Sequence, residues 1–238
     1  MNSLTFNNGV SIPQLGFGTA AIEGWQSDSA YVTETVLKAI ELGYRHIDTA
    51  SLYGNERAIG RAVIESGIPR EEFFIVSKVW HTEQGAGATK DAFERSLERL
   101  QMDYLDLYLI HWPYPEKTKE TWRDMEALYD EGRVKALGLS NFRKSDIEDL
   151  LGFAKHKPVY NQLELHPYLT QDELCAYCAD KDIIVSCWSP LGSGDWNSVS
   201  IDQKPMADAV MKEVALKHGV SPAQVIIKWD LQRGRIVI

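Results

Sequence analysis

Short apolar runs rich in β-branched residues recur along the chain and alternate with segments whose apolar residues return at helical spacing. Runs of this length and composition predict buried β-strands. The predicted strands are Gly16–Ala20, Tyr44–Thr49, Phe73–Val79, Leu105–His111, Val134–Ser140, Val159–Leu165, Ile183–Trp188 and Arg235–Ile238. The inner strands are apolar nearly throughout, so both faces of the sheet must be covered, as is typical of a parallel sheet.

Amphipathic helices are predicted between these strands, with Gly43 as a typical residue just after a helix. The predicted helices cover Ser29–Leu42, Thr89–Leu100, Trp122–Tyr129, Asp146–Ala154, Asp172–Ala179 and Met206–His218, and a further helix begins at Ser221–Pro222. Ahead of the first strand, Asn7–Gly9 separates two short apolar segments and predicts a β-hairpin that plugs or covers the main fold. Eight strands alternating with helices predict a (β/α)₈ TIM barrel, formed by residues 1–238 as a single domain.

Composition narrows the classes of function. Of the 238 residues, 44% are hydrophobic and 25% are charged, which is ordinary for a globular chain with a sizeable core. The formal net charge is −9 and no segment is rich in Lys or Arg, so nucleic acid is not an expected partner. We find neither a signal peptide nor an apolar run of membrane-spanning length, so no membrane association is expected. The three cysteines suit a reducing cytoplasm better than a disulfide framework.

Four ionisable residues follow or end consecutive predicted strands: Asp48, Tyr53, Lys78 and His111. Active sites of such barrels lie at the carboxyl ends of the strands, so we expect these side chains to meet at one rim. A carboxylate, a phenol, an ammonium and an imidazole can together protonate a carbonyl oxygen while a hydride arrives at its carbon.

The expected roles follow from ordinary pKa values. A free tyrosine has a pKa near 10, and the neighbouring Lys78 ammonium is expected to lower that of Tyr53. Asp48 would hold Lys78 charged, and a neutral His111 would donate a hydrogen bond to the substrate oxygen. Since no side chain donates a hydride, a nicotinamide cofactor is required.

The contexts of these residues resemble the aldo-keto reductase family, with similarity from Gly9 to the last residue. The resembling segments are Arg45–Ala50, Leu52–Glu56, Ile75–Trp80 and Leu109–Pro113. The resemblance implies reduction of aldehydes or ketones to alcohols with NADPH, or with NADH as the alternative. The cofactor-binding residues that it implies are Gly18, Thr19, Asp48, Ser140, Asn141, Gln162, Trp188, Ser189, Leu191 and Gly192. The residues expected to contact the small carbonyl substrate are Trp25, Trp80, His111 and Trp112.

Two features distinguish the chain from other members of this family. Trp188–Gly192 and a short loop at Pro113–Trp122 resemble the bacterial branch that includes 2,5-diketo-D-gluconate and methylglyoxal reductases. The eighth helix and C-terminal loop of the family are absent from the sequence, which stops at Ile238. We expect a monomer, or low stability, association or a missing tail if that helix is truly absent.

Two other functions compete with this interpretation. A metal-dependent barrel hydrolase would use His46 with Asp48 and Glu164 with His166, because alternate residues of a strand share one face. A regulatory barrel would bind the nucleotide with little turnover.

Two motifs are interpreted as structural. Gly16–Ala21 fits the dinucleotide fingerprint G-x-G-x-x-A but lacks the helix that must follow at once. Cys175 and Cys178 lack a second pair for a zinc site, so they are expected to pack a helix, and no metal site is predicted.

Overall fold

The computed structural model describes residues 2–192, 200 and 204–238. The chain begins with an antiparallel hairpin of β1 (Ser3–Thr5) and β2 (Ser11–Pro13), which confirms the predicted hairpin. Phe6 is buried, and its ring meets the ring of Phe74 edge-on at a centroid distance of 6.3 Å. The hairpin therefore plugs the end of the barrel at which the strands begin.

Eight parallel strands form the barrel and confirm the predicted TIM fold. They are β3 (Gly16–Gly18), β4 (His46–Asp48), β5 (Phe74–Val79), β6 (Leu107–Ile110), β7 (Leu137–Ser140), β8 (Tyr160–Glu164), β9 (Ile184–Trp188) and β10 (Ile236–Val237). Each strand pairs with the next in chain order. A parallel bridge joins Leu15 to Val237, and Val237 N donates to Gln14 O at 3.0 Å, so β10 returns beside β3.

Helices cover the outside of the sheet. They are α1 (Ala30–Glu41), α2 (Glu56–Glu65), α3 (Ala88–Leu100), α4 (Pro115–Asp130), α5 (Lys144–Leu151), α6 (Asp172–Asp180), α7 (Ala209–His218) and α8 (Pro222–Gln232). Ser221 begins α8 with a capping box, because its hydroxyl accepts from Gln224 N and its own N–H donates to the Gln224 side chain. Among the described residues, no helix has the length and apolar character needed to cross a membrane.

Three helical segments differ from the sequence prediction. The helix α2 was not predicted, although Ala58, Ile59, Ala62 and Val63 form a buried face, because much of that face is small side chains. The loop predicted at Pro113–Trp122 is wrong for most of its length, since α4 already begins at Pro115. Proline suits the first helical turn, where its missing N–H would have no partner, and polar residues then mask the helical period. The predicted helix Met206–His218 is a 3₁₀ turn, Pro205–Ala207, followed by α7.

Alternation along the strands divides the apolar residues into two layers. In β5, Phe74 and Val76 belong to the cluster inside the barrel, whereas Ile75 and Val79 belong to the cluster between sheet and helices. The inward face of β5 continues at Lys78, which is fully buried. An apolar floor therefore lies beneath a polar layer at the carboxyl ends of the strands.

The two structural motifs lie where the sequence analysis places them. Gly16–Gly18 is the first barrel strand, and the next helix begins only at Ala30. Cys178 is buried in the core on α6 and Cys175 packs against the same cluster, so helix packing is confirmed.

Candidate active site

The four ionisable residues meet at one rim of the barrel. Asp48 ends β4, Tyr53 ends the 3₁₀ turn Ser51–Tyr53, Lys78 lies in β5 and His111 directly follows β6. Because these strands are adjacent and parallel, their carboxyl ends bring the side chains together.

The Lys78 ammonium is fully buried and uses all three of its hydrogens. It forms an ion pair with Asp48 Oδ1, donates to Thr49 O at 2.9 Å and donates to Tyr53 Oη at 3.3 Å. Burial alone lowers the pKa of Lys78, but Asp48 and Tyr53 outweigh it, so the pKa is raised above 10.5. Lys78 is therefore a fixed cation beside the phenol.

The pKa of Tyr53 differs from the sequence prediction. Burial raises the pKa of Tyr53, and the Lys78 ammonium, which lowers it, does not compensate, so the pKa lies above 10.0. The prediction of an unusually acidic phenol is wrong for this structure, because the low-dielectric surroundings disfavour the phenolate more than Lys78 favours it. Tyr53 is a neutral phenol at physiological pH.

His111 is neutral, as predicted. Burial and the charge of Lys78 hold the pKa of His111 well below 6.5. Its Nδ1 is buried, and no described residue forms a hydrogen bond with it. A hydrogen on Nδ1 would be buried without an acceptor, so we assign the hydrogen of the neutral ring to Nε2. The rings of His111 and Tyr53 meet edge-on at a centroid distance of 5.6 Å.

A cavity of about 760 Å³ opens above this group, and Asp48, Tyr53 and His111 form part of its wall. That volume lies within the usual range for small-molecule sites. Trp25, Trp80 and Trp112 also line it. Trp25 and Trp112 are 49% and 44% exposed, so these indoles form the mouth of the cavity and not its floor.

On the opposite wall, Ser140, Asn141 and Trp188 are held in one arrangement. Trp188 Nε1 donates to Asn141 Oδ1 at 3.0 Å. Asn141 Nδ2 donates to Ser140 Oγ and to His111 O, each at 3.0 Å. Asn141 has a φ of 63°, in the left-handed region that asparagine tolerates better than most residues. The indole of Trp188 is thereby fixed at the cavity wall.

Gln162 lies between Asp48 and Tyr160 inside the barrel. Its Nε2 donates to Asp48 Oδ2 at 2.8 Å and to Tyr160 Oη at 3.2 Å. Gln162 also lines the cavity. In the part of the chain that the structure describes, no donor binds its Oε1.

Most of the other implied cofactor residues line the same cavity. Gly18 ends β3 and Thr19 follows it, and Ser189 and Leu191 follow β9. Gly192 is not among the described residues of the wall, and a side chain there would place Cβ 2.3 Å from Pro205 Cδ. Gly192 lets the chain pass close to Pro205 with a φ of 89°, a conformation and an approach that a side chain would not allow.

These groups fit a nicotinamide. Its carboxamide needs an acceptor for its N–H₂ and a donor for its oxygen, and the cavity offers Gln162 Oε1 and the Ser140 hydroxyl. The indole of Trp188 offers a flat face for the ring.

Sequence analysis missed part of the cavity wall. Met206, Ile227, Val237 and Ile238 also line it. Val237 and Ile238 lie at the carboxyl end of β10, so the rule that located Asp48 would have found them. Met206 and Ile227 come from a 3₁₀ turn and a helix that only the tertiary fold brings to the rim.

Of the residues proposed for a metal site, His46 and Asp48 have other partners. His46 Nδ1 contacts Pro13 O at 3.1 Å, and Asp48 pairs with Lys78. His166 lies 3.8 Å from Glu164. Within the described ranges, no group of three or more His, Cys, Asp or Glu side chains could hold a metal ion.

Known proteins resemble this chain over its whole length. The model of the aldo/keto reductase family matches residues 14–238. A glyoxal reductase of Bacillus subtilis is 47% identical over 237 residues, covering 100% of this chain and 81% of the relative. A 9,11-endoperoxide prostaglandin H2 reductase of Trypanosoma cruzi is 45% identical over 238 residues, covering 100% of this chain and 80% of the relative.

Solved structures give the same result. An aldo/keto reductase from Brucella melitensis superposes with a TM-score of 0.90 at 42% identity, covering 100% of this chain and 87% of that one. MGS-M4, an aldo-keto reductase from a Medee basin deep-sea metagenome library, has a TM-score of 0.92 at 40% identity. That alignment covers 99% of this chain and 83% of the other.

Proposed function

Because the chain belongs to the aldo/keto reductase family, we propose that Tyr53 is the acid with which it reduces carbonyl groups. The enzyme is an oxidoreductase that reduces aldehydes or ketones to alcohols with a nicotinamide cofactor. Asp48, Lys78 and His111 support Tyr53 in this proposal.

One observation carries the assignment of Tyr53. Lys78 is an ammonium without a lone pair, so in the contact between Nζ and Oη the phenol oxygen accepts. No other described residue forms a hydrogen bond with Tyr53 Oη. The phenolic hydrogen is therefore available to a carbonyl oxygen in the cavity that Tyr53 lines.

The other residues act on the same oxygen or on the phenol. When the proton leaves Tyr53, the developing phenolate meets the Lys78 charge in a dry site, where the attraction is strong. His111 donates from Nε2 and orients the carbonyl. Asp48 holds Lys78 in place. A nicotinamide, when bound, supplies the hydride.

We assign the nicotinamide end to Ser140, Gln162 and Trp188, on the fit of their free polar atoms and indole face, and to Asn141, which holds Ser140 and Trp188 in place. Gly18, Thr19, Ser189 and Leu191 would contact the rest of the cofactor. We propose NADPH as the preferred form, as is typical of the family, and a comparison of turnover with NADPH and NADH tests this.

The proposed substrate is a small neutral carbonyl compound of the glyoxal type. A relative 47% identical to this chain is named a glyoxal reductase. The mouth consists of indoles, and among the described residues the only charged side chain in the cavity wall is Asp48, already paired with Lys78. Residues 193–203 contain no Lys or Arg, so that segment of the chain supplies no cation for an anionic substrate either.

We further propose a cytoplasmic monomer. The three cysteines are free thiols, as a reducing compartment would keep them. Light scattering of the purified chain measures the oligomeric state directly.

Tyr53→Phe tests the assignment of the acid. We expect the variant to lose at least about a hundredfold in kcat, because the ring stays but the proton donor is gone. Oxidation of NADPH is followed with glyoxal, methylglyoxal and 2,5-diketo-D-gluconate, and the affinity for NADPH should stay close to that of the wild type.

The matched control is Tyr31→Phe, since Tyr31 is exposed on α1 and is not among the residues that line the cavity. A Tyr53→Phe enzyme with near-normal turnover would remove Tyr53 as the acid. A wild-type chain that binds NADPH but oxidises it with none of these carbonyls would favour the regulatory barrel instead.

A further inference from the structure

Tyr160 is a buried phenol that the proposed reaction does not use. It lies on β8 two residues before Gln162, so both side chains point into the barrel. The Tyr160 ring is fully buried and meets the Phe6 ring edge-on at 6.1 Å. Tyr160 thus spans the boundary between the apolar floor and the polar layer.

A glycine on the neighbouring strand leaves room for Tyr160. Gly138 lies on the neighbouring strand β7, and a side chain there would place Cβ 3.0 Å from Tyr160 Cβ and 2.6 Å from Leu109 Cδ2. Only glycine at this position leaves room for the start of the Tyr160 side chain.

The orientation of the Gln162 amide follows from its two neighbours. The carboxylate of Asp48 can only accept, so the group 2.8 Å from its Oδ2 must be Nε2. The second hydrogen of Nε2 is then directed at Tyr160 Oη, 3.2 Å away. Because Nε2 donates its two hydrogens to Asp48 and Tyr160, Oε1 faces the cavity as an acceptor.

We propose that Tyr160 is a positioning residue that, together with Asp48, fixes the Gln162 amide with its oxygen toward the nicotinamide carboxamide. The inference rests on the proposed function, because it assumes that the nicotinamide binds beside Gln162. Without the phenol oxygen, one N–H of Gln162 would be buried and unpaired, and Asp48 alone would hold the amide, so the position of Oε1 would no longer be fixed at two points.

Tyr160→Phe tests the proposal through binding, without turnover. We expect calorimetry to show about five- to tenfold weaker binding of NADP⁺. Binding of 2′-phospho-ADP-ribose, which lacks the nicotinamide, should stay unchanged. NAD⁺ and ADP-ribose serve as a second pair of probes. Equal binding of NADP⁺ by variant and wild type, or equal weakening of both ligands, would overturn the proposal.

Two further variants separate positioning from packing. Tyr108 is also fully buried, and its hydroxyl has no partner among the described residues, so Tyr108→Phe removes a buried phenol oxygen remote from Gln162. It should leave both affinities unchanged. In a Gln162→Met background, Tyr160→Phe should have no further effect on NADP⁺, because the group on which Tyr160 acts is gone. An undiminished effect there would refute action through Gln162.

The two proposals fail differently. A wild-type chain that binds neither NADP⁺ nor NAD⁺ overturns both, whereas normal binding and turnover without an effect of Tyr160→Phe overturns only this one. Should Tyr160→Phe not fold, NMR of the wild-type chain decides. The Nε2 protons of Gln162 should show nuclear Overhauser contacts to the Tyr160 ring, and their absence would contradict the assignment.

Discussion

At the scale of single residues, Lys78 determines the chemistry of its neighbours. Its three hydrogen bonds anchor Asp48, the Thr49 carbonyl and Tyr53 around one buried charge. The pKa of Tyr53 is nevertheless raised, because burial outweighs this charge. Lys78 therefore matters less for ionising the free phenol than for stabilising the phenolate that forms when the proton leaves.

Lys78→Met keeps the bulk of the side chain and removes the charge. We expect kcat to fall at least about a hundredfold, because the phenolate would form in a buried site without its cation. Steady-state kinetics across pH 6 to 9 measure this. The control is Lys90→Met, which removes a lysine on α3 that pairs with Glu131 at the surface. Full activity with an unchanged pH profile would exclude the assigned role.

At the scale of elements, the 3₁₀ turn that carries Tyr53 is tied to the end of β5. Ser51 Oγ contacts Glu83 Oε2 at 2.7 Å and Lys78 O at 3.2 Å. Arg95, which lies on α3, forms an ion pair with Glu83 at 3.0 Å. A carboxylate only accepts, so Ser51 donates to Glu83. This contact joins the turn of Tyr53 to the turn that follows β5.

Ser51→Ala should loosen this connection and lower kcat about three- to tenfold, with a smaller change in KM, because a displaced Tyr53 protonates the carbonyl less well. The matched control is Ser66→Ala, whose hydroxyl donates to Val63 O at 2.7 Å at the end of α2. The expectation fails if both variants have the same kcat as the wild type.

At the scale of the whole molecule, burial of polar groups inside the barrel links stability to pH. His46 is fully buried beneath the active site, and burial lowers its pKa from 6.5 to about 4. Between these values the unfolded chain binds a proton at His46 that the folded chain does not. Stability therefore falls as the pH drops through this window, and His111 contributes in the same direction.

We expect the free energy of unfolding to decrease by roughly 3 kcal/mol through His46 between pH 7 and pH 4. Urea unfolding at several pH values measures this, and we propose that residues 1–238 unfold in one transition as a single domain. His46→Asn keeps a donor for Pro13 O but does not titrate, so its stability should depend less on pH. If the free energy of unfolding depended on pH equally in the wild type and the variant, the assignment to His46 would be contradicted.

The sequence by itself determined the hairpin, the eight strands and the rim at which Asp48, Tyr53, Lys78 and His111 meet, because strand alternation is a local property and parallel topology then aligns the strand ends. It did not determine α2, whose buried face includes the small residues Ala58, Gly60 and Ala62, or the start of α4, whose first turns are polar. Only the tertiary structure decided the pKa of Tyr53 and the orientation of the Gln162 amide. Both depend on how deeply a group is buried and which atoms from distant strands surround it, and no local pattern encodes either.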